Sequence, residues 1–281
     1  MSNRHVGGFE KVISIASGKG GVGKTLTTVH TAYSIASRGK RVLIFDADFG
    51  MANVDVVLGI TPKYNINDVI DSDREIEEVI LRGPMGIDVI PSGSGNFELS
   101  NLTYVQRLGL LEKLSRLKND YDVLIIDTGA GISSSVIHMN AIADKTIVVT
   151  TSEPHAMTDG YGFIKVLSEK NSNHPMGLVV NSVKSEAEGL KVYNSISEVA
   201  RRFLNRSIID LGSVPFDPQM KRALMARKVI NESTLNSISG QAWHRVVGRI
   251  LDGQQTGKYC EGTQNFWKMI VNHDANHQYA V

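Results

Sequence analysis

The chain has 281 residues, 42% of them hydrophobic, a formal net charge of +1 and a single cysteine, Cys260. So balanced a charge gives no global field for nucleic acid or anionic membrane, and one thiol excludes both an internal disulfide framework and a cluster held by paired thiolates of this chain. No run of 18 apolar residues is present and residues 1–10 contain no apolar stretch, so neither a membrane-spanning helix nor a secretory leader is expected, and the chain is expected in the cytoplasm.

In chain order, residues 11–17 (KVISIAS) read as a buried strand, a glycine-rich loop follows, and residues 25–37 read as a helix. Strands are predicted again at 41–46, 86–91, 121–127, 145–151, 176–181 and 208–214, with helices at 104–118, 158–169 and 187–203 and a mainly helical stretch over 227–251. Each strand is a short run rich in Val and Ile, bounded by Gly, Pro, Asp or Asn. Strands that are apolar on both faces are those of a parallel sheet covered by helices on both sides. The alternation therefore predicts an α/β fold with a doubly wound, mostly parallel sheet. Residues 1–251 are expected to form one domain, and residues 252–281 a linker (DGQQTG at 252–257) and a C-terminal amphipathic segment.

The loop after the first strand satisfies the pattern G-x-x-x-x-G-K-[ST] through Gly18, Gly23, Lys24 and Thr25. Between a strand and a helix, such a loop wraps its backbone N–H groups around phosphates, and the helix N-terminus adds positive potential. Gly20, Gly21, Val22 and Gly23 are the backbone of that cradle, Lys24 is the side chain expected to reach the β- and γ-phosphates, and the Thr25 hydroxyl is the expected Mg²⁺ ligand. Two strands end in acids. One reads Phe45-Asp46-Ala47-Asp48; the other, Leu124-Ile125-Ile126-Asp127, has the Walker B pattern and makes Asp127 a second expected holder of Mg²⁺, through water because Mg²⁺ dehydrates reluctantly. Gly129 and Gly131 after it allow close backbone approach to a γ-phosphate. No N-K-x-D or T-K-x-D occurs, so the usual reader of guanine is absent.

A second lysine, Lys19, lies inside the phosphate loop, and the run KGGVGKT at 19–25 resembles the deviant Walker A motif of the MinD/ParA-type ATPases. The resemblance covers about residues 11–251 and implies a Mg²⁺-dependent ATP hydrolase that forms a homodimer with ATP. In that family the early lysine reaches the partner's phosphates, as an arginine finger does, so Lys19 joins Lys24 and Asp48 as a catalytic candidate. The resemblance gives Asp48 the role of positioning the attacking water and Asp46 that of supporting the magnesium shell. It places Asn181 and the loop with Pro215 and Asp217 against adenine. The stretches TSEPHAMTDGYGFIK (151–165) and ANVDVVLGITP (52–62) resemble the FlhG-type branch, which regulates flagellar number. That branch implies a FlhF-type GTPase and a FleQ-type transcription activator as partners. Two alternatives stay open: a MinD-like division-site selector, and a ParA-type DNA-partitioning ATPase. The second requires a basic face that a chain of net charge +1 is not expected to supply.

Residues 262–273 (GTQNFWKMIVNH) place Phe266, Trp267, Met269, Ile270 and Val271 on an arc of roughly 200° if helical. A broad apolar arc with an aromatic anchor suits reversible association with the inner face of the cell membrane. Packing of the same helix on the domain is the alternative.

Overall fold

The computed structural model describes residues 11–49, 53–72, 74–93, 103–117 and 120–252. The elements run in the order β1 (Lys11–Ala16), α1 (Lys24–Ala36), β2 (Val42–Ala47), α2 (Val54–Leu58), α3 (Ile66–Asp71), α4 (Ile76–Val79), β3 (Leu81–Arg82), β4 (Ile87–Ile90), α5 (Tyr104–Arg116), β5 (Val123–Thr128) and α6 (Ser134–Ala141). They continue with β6 (Lys145–Thr150), α7 (Pro154–Lys170), β7 (Met176–Val183), α8 (Glu186–Leu204), β8 (Ile209–Pro215), α9 (Pro218–Met225), α10 (Glu232–Leu235) and α11 (Ile238–Asp252). The sheet order is β3-β4-β2-β5-β1-β6-β7-β8, parallel throughout except for β3 against β4. The doubly wound sheet expected from the sequence is therefore present, with β1 at its centre between β5 and β6.

Both faces of the sheet are covered, which is why its strands read as unbroken apolar runs. Side chains alternate across a strand. Ile13, Ile15, Ile44, Ile125 and Val149 pack on one face with α1, α2 and α11. Val12, Phe45, Leu124 and Ile126 point the other way, toward α3–α6, and Val148, Leu178 and Val180 toward α7 and α8. Full burial of each such aliphatic side chain stabilises by roughly 1.5–3 kcal/mol.

Local signals set the helix ends. Ser185 caps α8 by accepting the Glu188 N–H at 3.2 Å, Glu186 and Glu188 sit in the first turn, and Arg201 and Arg202 sit in the last. That distribution complements the helix dipole. Asn205 ends the helix in the left-handed region. The helix α7 begins at Pro154 and not at residue 158. Proline fits the first helical position, where its missing N–H is not needed, while Gly160 and Gly162 inside the helix weaken its sequence signal. The stretch 227–251 is interrupted. Arg227 takes φ 53°, a capping box at Asn231 starts the one-turn α10, and α11 follows. The strand β7 continues past Asn181 to Val183, and the short β3 has no counterpart in the sequence reading. Asp252 is the last residue of α11, and the rest of the segment read as a linker, 253–257, lies outside the described residues.

The helix α11 buries Trp243, Val246, Val247 and Ile250, at spacings of three and four residues, against α1 and β8. It is distinct from the amphipathic segment read at 262–273, whose Phe266, Trp267, Met269, Ile270 and Val271 lie outside the described residues. Among the described residues no helix is long and apolar enough to cross a membrane.

Candidate functional site

The strand β1 feeds the glycine-rich loop, and the Ser17 hydroxyl donates to the Lys19 carbonyl at 2.7 Å. Gly23 has φ +99°, a conformation open to glycine at little cost, and a Cβ on it would stand 2.2 Å from Asn181 Nδ2. A Cβ on Gly18 would lie 1.9 Å from the carbonyl oxygen of Asp159 in α7. These two motif glycines therefore answer to close packing by β7 and α7 as well as to phosphate binding.

Lys24 opens α1 with only 9% of its surface exposed. Burial lowers its pKa, opposed by the negative charges of Asp127 and Asp48, so the ammonium is turned inward toward two carboxylates. Lys19 behaves differently. Its side chain is 41% exposed and pairs with Glu153 at the start of α7, at 3.3 Å. It is absent from the walls of the cleft that Lys24 lines.

That cleft, about 1260 Å³, opens where the parallel strands end. Its walls bring together Gly20, Gly21, Val22, Gly23, Lys24 and Thr25 with Asp48, Asn181, Pro215 and Asp217. In open α/β sheets ligands bind at this edge. Gly18, Lys19, Asp46, Asp127 and Gly131 are not on the walls. Gly131, at φ +94°, donates its N–H to the Ser17 carbonyl at 3.0 Å and so ties the loop after β5 to the phosphate loop.

Asp127 is buried directly behind Thr25. Its Oδ1 accepts the Thr28 hydroxyl at 2.9 Å, and Thr25 also donates to the carboxylate. Burial pushes its pKa up to about 6, moderated by those hydroxyls and by Lys24. A carboxylate and a hydroxyl in contact at the foot of a phosphate loop are the oxygen donors a hard divalent cation takes when most of its shell is water and phosphate. Asp46 differs. Only 1% exposed, it accepts from three backbone N–H groups, Asp48 at 3.1 Å, Asn53 at 3.1 Å and Val54 at 3.2 Å. Both of its oxygens are engaged by the segment that carries Asp48. Burial first, and the charge of Asp127 second, raise its pKa to about 7.

On the far side of the cleft, Asn181 Nδ2 donates to the Val22 carbonyl at 2.9 Å, so this side chain braces the phosphate loop. Asp217 caps α9 through the Gln219 N–H at 2.8 Å and holds the start of α11 through the Ser239 hydroxyl at 2.7 Å. Burial alone would raise its pKa, but hydrogen bonds from Ser237, Ser239 and Gln219 outweigh it and hold the group at about 2. Phe216, between Pro215 and Asp217, leaves 52% of its surface open at the cleft.

Thr28, Ser92, Glu153 and Ser239 were not legible as site residues in the sequence. Thr28 had a signal: it lies three residues after Thr25 on a helix and so shares its face. The other three meet their partners only through the fold. Ser92, for instance, donates to the Asp48 carbonyl at 3.3 Å from the end of β4.

Loop N–H groups at a helix N-terminus, beside an inward lysine, make a site for an anion. With Thr25 and Asp127 adjoining, they define a P-loop nucleoside triphosphate-binding protein. Comparison with known proteins agrees. A family model described as an AAA domain matches residues 10–175. The antiactivator FleN of Pseudomonas aeruginosa is 35% identical over 94% of this chain and 95% of its own length. The flagellum site-determining protein YlxH of Helicobacter pylori is 30% identical over 95% of this chain and 91% of its own. The septum site-determining protein MinD of Pyrococcus horikoshii, solved with Mg-ADP, superposes with a TM-score of 0.67 at 23% identity, covering 86% of this chain and 96% of that one. The chain belongs to the MinD/ParA-type family of P-loop ATPases.

Proposed function

We propose that this protein is a magnesium-dependent ATP hydrolase that dimerises with ATP and acts as a switch controlling the number or placement of flagella. The observation that carries the reading is the division of labour between two lysines. Lys24 is buried against Asp127 and Asp48, whereas Lys19, on the same loop, is partly exposed, is not among the wall residues, and pairs with Glu153 at the cleft's edge. A lysine so placed suits delivery of positive charge to the phosphates of a second copy, where the transition state gathers negative charge.

Each protomer supplies its own machinery for the rest. Thr25 and Asp127 hold Mg²⁺, which when bound neutralises charge on the phosphates. Lys24 and the N–H groups of Gly20–Gly23 orient the triphosphate, Asp48 orients the attacking water, and Asn181 with the 215–217 loop borders the base. The flagellar role rests on the likeness to FleN and YlxH. With it come a FlhF-type GTPase and a FleQ-type activator as partners. Reversible membrane association through Phe266, Trp267, Met269, Ile270 and Val271 completes the proposal.

Light scattering during size-exclusion chromatography tests the central claim. With saturating Mg-ATP, Asp48→Ala accumulates as a dimer and Asp48→Ala combined with Lys19→Ala elutes as a monomer. A monomeric Asp48→Ala single variant that still binds ATP overturns the dimer reading.

A further inference from the structure

We infer that Asp46 is a positioning residue that clamps the segment carrying Asp48, and that it does not serve in the magnesium shell. The inference rests on the role proposed above for Asp48.

A carboxylate at the end of a fully buried strand must have its hydrogen-bonding capacity met by the protein. Asp46 meets it with backbone donors alone among its described hydrogen bonds. Oδ1 takes the N–H of Asp48, and Oδ2 takes those of Asn53 and Val54. One side chain thus holds the amide of Asp48, just past the end of β2, together with those of Asn53 and Val54. The last two lie at the start of α2. The first N–H groups of a helix need outside acceptors, and Asn53, at the cap position, makes no capping hydrogen bond with its own side chain. Asp46, seven residues earlier, supplies the oxygen instead.

The consequence for Asp48 is direct. Its backbone N–H is held by Asp46, and its carbonyl accepts from Ser92 Oγ at 3.3 Å. Asp48 therefore leaves the sheet with its backbone pinned on both sides of its Cα, which fixes the point from which its side chain starts. Its Oδ1 lies 3.6 Å from where a Cβ on Gly129 would stand, so it is directed at the turn after β5.

The neighbouring carboxylate is wired in the opposite sense. Asp127 is the register partner of Asp46 on β5, and its side-chain donors are the hydroxyls of Thr25 and Thr28. A hydroxyl can turn its proton away and offer a lone pair to a cation, whereas a backbone N–H cannot. The three N–H groups take both acceptor sites of Asp46 Oδ2 and one of Oδ1, which leaves a cation at most one position, on the oxygen that holds the Asp48 amide. Two adjacent acids thus divide the work: Asp127 faces the metal and Asp46 shapes the segment.

The test uses the full chain with Asp46→Asn, which is nearly isosteric, and Asp46→Ala. Hydrogen exchange is followed without nucleotide or Mg²⁺ at the amides of Asp48, Asn53 and Val54, and at those of β5 as a reference. Mg²⁺ half-saturation of ATP binding and single-turnover hydrolysis follow. The clamp requires at least tenfold faster exchange at the three amides in Asp46→Ala and a smaller gain in Asp46→Asn, with β5 unchanged. It also requires Mg²⁺ half-saturation within twofold of the parent, while turnover falls at least tenfold at unchanged KM. A tenfold weaker Mg²⁺ dependence with unchanged exchange overturns it and returns Asp46 to the metal shell. Should Asp46→Ala unfold, Asp46→Asn carries the same comparison. Ser92→Ala, which frees only the Asp48 carbonyl, must then lower turnover without moving Mg²⁺ half-saturation. A parent protein that hydrolyses no ATP defeats the proposed function, yet leaves the exchange result readable.

Discussion

Asp46 and Asp127 are register partners on the adjacent strands β2 and β5, two buried acids side by side at the foot of the nucleotide cleft. Their carboxyl pKa values are raised to about 7 and about 6, by burial in the first place. The pair stores unfavourable charge that a cation would relieve. Below about pH 6 Asp127 carries a proton in the nucleotide-free protein, and Mg²⁺ must displace it. The Mg²⁺ concentration that half-saturates ATP binding is therefore expected to climb as pH falls below 6, by up to about tenfold per pH unit for one proton released. Calorimetric titrations at pH 5, 6, 7 and 8 check this; a flat profile removes Asp127 from the metal site.

Asp48→Ala is expected to bind Mg-ATP within a few-fold of the parent and to lose turnover by roughly 10²-fold or more, since it removes the group proposed to orient the water and leaves the glycine-rich loop whole. Lys24→Ala should lose binding itself, because a buried cation facing two carboxylates is removed. Equilibrium binding of a fluorescent ATP analogue beside steady-state hydrolysis separates the two. Wild-type turnover by Asp48→Ala would end its assignment.

The glycines of the phosphate loop should not respond alike. Gly23→Ala meets a left-handed backbone and a Cβ placed 2.2 Å from Asn181 Nδ2. Strain of about 1–2 kcal/mol is expected from the backbone alone, together with displacement of the Asn181 brace and loss of ATP binding. At Gly20 a Cβ meets nothing within 4 Å and φ lies outside the left-handed region. Gly20→Ala is thus expected to leave stability within about 0.5 kcal/mol of the parent, whatever it does to the nucleotide. Urea unfolding of both variants without ligand makes the comparison.

His30, on the helix that follows the phosphate loop, stacks on Trp243 of α11 with ring centroids 5.8 Å apart, and its buried Nε2 has no hydrogen-bond partner. Burial lowers its pKa to about 4, and that of His174 falls to about 4 for the same reason, with a further contribution from Arg206. The unfolded chain takes up these protons as pH falls through 6.5, while the folded chain resists until about 4. The stability they contribute is complete above pH 6.5 and is lost between 6.5 and 4, by at most about 3 kcal/mol for each imidazole. His30→Phe keeps the stack and removes the orphaned nitrogen. It should stabilise the protein by about 1 kcal/mol at pH 7 and shrink the acid-induced loss. Denaturant titrations from pH 7 to pH 4.5 decide; an unchanged pH slope contradicts the buried neutral imidazole.

The chain order of strands and helices, the phosphate loop and the two acidic strand ends were legible in the sequence because each is local. A strand covered on both faces must be apolar throughout. A phosphate cradle needs its glycines, lysine and threonine within eight consecutive residues. An acid closing an apolar run announces a strand that ends at a polar site. What tertiary structure alone decided was the partner of each polar side chain. Asp46 received the amides of residues 48, 53 and 54, Asn181 the Val22 carbonyl, Asp217 the start of α11, and Lys19 the carboxylate of Glu153. Of these, Asn181, Asp217 and Lys19 meet partners 159, 22 and 134 residues away in sequence. No pattern in the chain encodes such a meeting, because it depends on which strand ends the sheet order sets side by side. A buried donor or acceptor must find a partner, but only the packed sheet determines which one is within reach.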